Sequence, residues 1–175
     1  MALEIERRFL VRGEQWRAHI AWQAQLQQGY LSASAEGFTT RVRSDGAGGA
    51  WLTLKAAAAE GHGGLVRHEF EYAIPEADAQ ALLALAPAAL RKWRFGLDLP
   101  GGEWVLDVFE AANAPLVIAE VELSSADQAD AVPLPSWCVH EITGQGRFSN
   151  AALAASPLRH WSDQELKPLL QLLGG

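Results

Sequence analysis

Leu3-Glu4-Ile5-Glu6-Arg7-Arg8-Phe9-Leu10-Val11 is the stretch on which the reading of the fold turns. Successive side chains of a strand point to opposite faces, so Glu4, Glu6 and Arg8 share one face, while Leu3, Ile5, Phe9 and Val11 lie opposite with Arg7. One such strand is ordinary: a sheet often packs one side on a core and wets the other. Recurrence along the chain makes it informative. Arg41 and Arg43 share a face of a segment near 38–44, and Lys55 shares one with Thr53 and Trp51 in 50–56. In 66–73, Arg67, Glu69 and Glu71 oppose Val66, Phe70 and Tyr72, and in 90–97 Lys92 and Arg94 oppose Trp93 and Phe95. Asp107 follows in 103–110. Glu120 and Glu122 oppose Val117, Ala119, Val121 and Leu123 in 116–123, and Glu141 stands with Thr143 in 138–143. A further strand is expected over 27–33.

Like charges two apart on a strand sit about 7 Å from each other. Arg-x-Arg, Lys-x-Arg and the Glu-x-Glu pairs therefore concentrate repulsion where a plain solvated surface would mix signs. A ligand gives a reason for it. Clustered guanidinium and ammonium groups match phosphate oxygens, and clustered carboxylates match a hard divalent cation such as Mg2+ or Mn2+. A barrel closed with these faces inward would gather both clusters around one tunnel. Its apolar faces would point outward and need cover from helices or from a second subunit, which makes a homodimer one expected partner.

Helices are expected to be few and peripheral. Pro75 with Glu76 and Asp78 starts one that runs to Ala86, before Pro87. A second is expected after Gly13, carrying Trp16, Ile20 and Trp22, and a third over Asn150 to Ala155. Ser162 to Glu165 has the form of a capping box, but Pro168 is expected to disturb the helix that follows. Asp45-Gly46-Ala47-Gly48-Gly49 and the stretch from Ala56 to Gly64 read as hairpin connections, the second long enough to be mobile. At 175 residues one domain is expected over 1–175, a barrel over about 3–155 and a C-terminal helical segment over about 156–175.

Composition narrows the classes. The formal net charge of −7 works against bulk attraction to nucleic acid or an anionic membrane, so a polyanion would need a local basic site. Charges at Glu4, Glu6, Arg7 and Arg8 stand where a signal peptide needs an apolar run, and a cytoplasmic location is expected. Cys138 is the single cysteine, which excludes an intrachain disulfide and Cys-rich zinc sites. His19, His62, His68, His140 and His160 show no metal-ligand spacing. Trp16, Trp22, Trp93, Trp104 and Phe109 are read as packing. Tyr30 shares a predicted face with Gln28, and its phenol is a candidate to orient water or phosphate.

Together these residues resemble the CYTH domain, or triphosphate tunnel metalloenzyme, family, whose hallmark is Glu-x-Glu-x-Lys at the extreme N-terminus. It stands here as Glu4-Ile5-Glu6-Arg7-Arg8. Similar segments follow in order: Gln28-Gly29-Tyr30-Leu31, Arg41-Val42-Arg43, Leu52-Thr53-Leu54-Lys55, Arg67 through Glu71, Lys92-Trp93-Arg94-Phe95, Trp104 through Glu110, Ala119 through Leu123, and Arg147-Phe148-Ser149-Asn150. The resemblance implies a mainly antiparallel α+β fold, an eight-stranded closed tunnel with peripheral helices. It implies Glu4, Glu6, Asp107, Glu120 and Glu122 as metal-binding acids. Arg8, Arg41, Arg43, Lys55, Arg67, Lys92 and Arg94 look like the phosphate clamp, with Lys55, Lys92 and Tyr30 as candidate catalytic groups. Glu69 and Glu71 would hold the clamp or contact metal. Arg8 departs from the usual Lys, keeping the charge but replacing a compact ammonium with a fork. The activity implied is metal-dependent hydrolysis of inorganic triphosphate. The alternatives are a class IV type adenylate cyclase, hydrolysis of thiamine or nucleoside triphosphate, and noncatalytic binding of polyphosphate or nucleotide.

Overall fold

The computed structural model describes residues 3–33, 38–57 and 66–174. Its strands are β1 (Leu3–Val11), β2 (Ile20–Ser32), β3 (Thr39–Ser44), β4 (Ala50–Ala57), β5 (Val66–Ala73), β6 (Ala88–Leu97), β7 (Glu103–Phe109), β8 (Val117–Glu122) and β9 (Cys138–Glu141). Sheet order β5-β4-β3-β2-β6-β7-β8-β1, with β1 pairing back onto β5, closes eight antiparallel strands into a barrel. One edge of β1 runs along β8 from Glu6↔Glu122 to Leu10↔Ile118. Its other edge is shared: Leu3 to Ile5 pair with β5, and Phe9 to Val11 pair with β9. Between those two pairings the wall is made by the chain after β9. There the Arg8 N–H donates to Thr143 Oγ1 at 3.0 Å, and the Ile142 N–H donates to the Arg8 carbonyl at 2.8 Å.

The expected helix carrying Trp16, Ile20 and Trp22 is absent. A short 3-10 turn, Gln15–His19, buries Trp16, and Ile20 already opens β2 with Trp22 on it. The cause is the sheet. From Ile20↔Leu97 to Tyr30↔Ala88 the backbone of β2 pairs with β6, and Gln23, Gln25 and Gln27 alternate with Ala24, Leu26 and Gln28. Glu141 also departs from expectation: β9 lies outside the closed ring, so its carboxylate meets Arg7 on the outer side, at 2.7 Å. Helix α1 (Glu76–Leu85) and helix α2 (Asn150–Ala155) form where expected. Helix α3 (Asp163–Leu173) starts on the Ser162/Glu165 capping box and continues through Pro168. That proline gives up one backbone bond, and buried Leu169, with Leu166 and Leu173 packed beside it, offsets the loss. In the 45–49 turn, Asp45 Oδ1 accepts from the backbone N–H groups of Ala47 and Gly49. The second expected connection contributes Ala56 and Ala57 to β4, and its remainder, with His62, lies outside the described residues.

Cover for the outward apolar faces comes largely from the chain itself. Phe9, Phe95, Trp104, Leu106 and Val121 are buried beneath Trp16, Val132 and Trp137. Val42 and Ala50 lie beneath Ala79 and Leu83 of α1. Gly29 allows that approach, since a β-carbon there would come within 2.8 Å of Ala86 Cβ. Phe70 and Tyr72 on β5 stay exposed, at 41% and 57%. A third cluster closes one end of the barrel. By alternation Leu10, Leu90, Phe109 and Ile118 face inward beyond Arg8, Lys92, Asp107 and Glu120, and they pack with Phe148, Leu153, Leu158 and Leu169. Among the described residues, no helix is long and apolar enough to cross a membrane.

Candidate active site

The remaining interior is a cavity of about 430 Å³. Strand β1 supplies Glu4, Glu6 and Arg8; β3 supplies Thr39, Arg41 and Arg43; β4 and β5 supply Lys55, Arg67, Glu69 and Glu71. Tyr30, Arg94, Glu120 and Glu122 complete the wall, and Ser149, Asn150 and Ala151 at the start of α2 form part of the lining. The two-residue period of each strand is what turns every second side chain into this space.

Acids and bases interlock here. Lys55 Nζ lies 2.9 Å from both Glu4 and Glu69. Arg67 reaches Glu6 at 2.8 Å, and Arg8 reaches Glu120 at 3.1 Å. Arg41 and Arg43 both approach Glu71 at 3.1 Å, and Arg41 also donates to Thr53 Oγ1 at 3.0 Å. The pairing is incomplete: Arg8 Nη2, Arg41 Nε and Arg43 Nε are buried without an acceptor among the described residues. Such donors carry a desolvation cost that an entering anion can remove.

The charges are uneven as well. Burial, followed by the nearby Glu120 and Glu4 carboxylates, pushes Glu6 up to about 7 despite Arg8 and Arg67. Burial would also raise Glu120, but Arg8, Arg94 and Lys92 outweigh it and hold this carboxyl far below the usual range. Burial and neighbouring Arg41 push the Arg43 guanidinium down to about 10. Burial raises the Tyr30 phenol, keeping it neutral. Its oxygen accepts from Gln28 Nε2 at 2.9 Å, which leaves its own proton to donate.

Two sequence-predicted residues stand behind the cavity lining. Lys92 and Asp107 are fully buried. Lys92 Nζ lies 2.5 Å from Asp107 Oδ2, donates to Asn150 Oδ1 at 3.1 Å, and sits 5.5 Å over the Phe109 ring. Burial lowers its ammonium to about 7 against the pull of Asp107. Asp107 also holds Arg94 through a fork of two bonds, each 2.8 Å. The other predicted site residues all line the cavity. Thr39, Ser149 and Asn150 line it too, although sequence reasoning assigned them no role; Ser149 and Asn150 stood in the sequence only as part of a family-like segment at the start of a short helix.

The donor chemistry fits a divalent cation. Glu4, Glu6, Glu120 and Glu122 offer hard carboxylate oxygens on neighbouring strands, and a cation would offset the burial and the neighbouring Glu120 and Glu4 charges that raise Glu6. Among the described residues, no three acidic, histidine or cysteine side chains are drawn together as a finished coordination shell.

Comparison with known proteins places this geometry. The chain is 31% identical over 165 residues to an inorganic triphosphatase of Acetivibrio thermocellus, covering 93% of this chain and all of the relative. It is 37% identical over 162 residues to an inorganic triphosphatase of Nitrosomonas europaea, covering 87% of this chain and 97% of the relative. A crystal structure of an inorganic triphosphatase superposes with a TM-score of 0.61 at 32% identity, covering 89% of this chain and 97% of that one. Residues 2–147 match the CYTH domain. With the closed eight-stranded barrel and its charged interior, this match means that the chain belongs to the CYTH domain family.

Proposed function

We propose that the protein hydrolyses inorganic triphosphate in the barrel cavity with the help of a divalent cation, releasing orthophosphate and pyrophosphate. The observation that carries this reading is the set of buried, acceptor-less guanidinium donors on Arg8, Arg41 and Arg43 in one cavity walled by carboxylates. The activity of the two curated relatives supports it.

In the resting arrangement each clamp base is neutralised by an acid. A triphosphate exchanges those partners: Arg8, Arg41, Arg43, Lys55 and Arg94 turn to phosphate oxygens, and Glu4, Glu6 and Glu120 are released to join Glu122, which has no basic partner among the described residues, in holding the cation. Bound there, a divalent cation supplies charge neutralisation and Lewis acidity toward phosphate oxygens and water. The Tyr30 O–H donates a hydrogen bond to a phosphate oxygen. Asp107 keeps Arg94 aimed inward, and Lys92 with Asn150 fixes the floor of the cavity. Water attacks the terminal phosphorus and gives up a proton to solvent, and the bond to the bridging oxygen breaks with its electron pair leaving on pyrophosphate. The clamp stabilises that leaving oxygen, as expected for a reaction dominated by positioning and electrostatics.

Product identification tests the reading. With Mg2+ or Mn2+, triphosphate should yield orthophosphate and pyrophosphate, chelator should abolish turnover, and re-added metal should restore it. Cyclic AMP from ATP together with untouched triphosphate would overturn it.

A further inference from the structure

A second pocket abuts the same cavity at the barrel wall. A side pocket of about 150 Å³ shares Glu6, Arg8, Arg67 and Ser149 with the main cavity, and its outer rim is formed by residues 143–146. It lies where β1 changes neighbours, pairing with β5 only as far as Ile5 and with β9 only from Phe9, so that between them the wall is carried by the irregular chain at Ile142 and Thr143. Gly144, Gln145 and Gly146 on the rim are exposed, so the pocket reaches the surface. Its inner end is cationic: Arg8 there carries the acceptor-less Nη2, and the Arg67 side chain is one-third exposed.

Topology gives this pocket a task. One end of the barrel is closed by the apolar plug of Leu10, Leu90, Phe109 and Ile118 beneath the C-terminal helices. A linear phosphate entering from the other end places its terminal group at the closed end. After cleavage, pyrophosphate stands between the orthophosphate and the way it came in. The side pocket and the cavity share Arg8, which precedes the plug residue Leu10 on the inward face of β1.

We propose that the side pocket in the irregular wall between β5 and β9 is a lateral anion port through which orthophosphate leaves the cavity, with Arg8 and Arg67 as its guiding cations. The port rests on the triphosphatase reading and adds the order of events: orthophosphate departs sideways without waiting for pyrophosphate. Gly146 provides the test. A β-carbon added there meets nothing within 4 Å, so the backbone accepts a side chain at the rim.

Gly146→Trp and Gly146→Leu should leave the single-turnover rate, measured with enzyme in excess, within about twofold of wild type. Steady-state turnover should fall roughly tenfold in the Trp variant and less in the Leu variant, with a burst of one orthophosphate formed per chain on acid quench. Ala47→Trp, on the exposed turn between β3 and β4, should match wild type in both. Unchanged steady-state turnover in a folded Gly146→Trp would overturn the port. So would an equal fall in single-turnover and steady-state rates, which would mean that the indole disturbs chemistry. A wild-type protein that releases no orthophosphate from triphosphate would overturn the triphosphatase reading itself, and the port with it.

Discussion

Glu6 shows how a single side chain can be held against its own preference. Its carboxyl pairs with Arg67 at 2.8 Å, yet burial and the charges of Glu120 and Glu4 raise it from 4.5 to about 7. A folded state that binds the proton more tightly than the unfolded chain is favoured at low pH. The stability associated with Glu6 is therefore fully present below about 4.5 and is lost as pH rises through about 7. Glu6→Gln keeps an acceptor for Arg67 and removes the charge. In chelator, urea unfolding should show the variant gaining on wild type between pH 5 and pH 8 by on the order of 1–2 kcal/mol. An equal difference at both pH values would mean that the carboxylate is already well compensated by its basic neighbours. The same site explains why Arg8 suits its place. Its fork donates to Glu120 and to the Phe148 carbonyl and still has Nη2 to offer. A lysine could not divide its contacts in that planar way.

At the scale of elements, what was legible in the sequence follows from how each element is stabilised. Strands such as β1, β5 and β8 alternate charge with apolar residues, and that local pattern is what the barrel uses. The first half of β2 is different. Ile20, Trp22 and Trp16 have a spacing compatible with a helix, and only the long pairing with β6 makes Ile20–Gln27 a strand. Pro168 misleads in the opposite direction, because the packing of Leu169 is a tertiary fact invisible in the local sequence. Lys92 and Asp107 were legible as inward charges, but their seclusion was not. It depends on the apolar plug and on Asn150, both brought there by segments distant in the chain. Leu153 is the central test of that plug, being fully buried on α2 among Leu10, Ile118 and Phe148. Leu153→Ala should cost about 2–5 kcal/mol in urea unfolding. A loss below about 1 kcal/mol would indicate that α2 rests on the barrel without sealing it.

For the whole molecule, closure of the sheet converts a strand-by-strand pattern into an inside and an outside. Arg7 and Arg41 separate those two roles. Arg7 lies on the outer side, where it donates to Glu141 and to the Ala129 carbonyl and stacks over Phe9, tying β9 and the 126–131 turn to the barrel. Arg41 lies inside, buried against Thr53 and Glu71 with an unpaired Nε. If the interior carries the chemistry, Arg41→Ala should lose about 2–4 kcal/mol of transition-state stabilisation, roughly two orders of magnitude in turnover. Arg7→Ala should instead lose about 1–3 kcal/mol of folding stability and leave turnover of the folded protein nearly intact. The decisive measurement is triphosphate hydrolysis with saturating Mg2+ or Mn2+ in wild type, Arg41→Ala and Arg7→Ala, each shown to be folded by circular dichroism at the assay temperature. The account predicts near-wild-type turnover for Arg7→Ala and a roughly hundredfold fall for Arg41→Ala. Equal turnover in the two variants, or greater damage from Arg7→Ala, would contradict it.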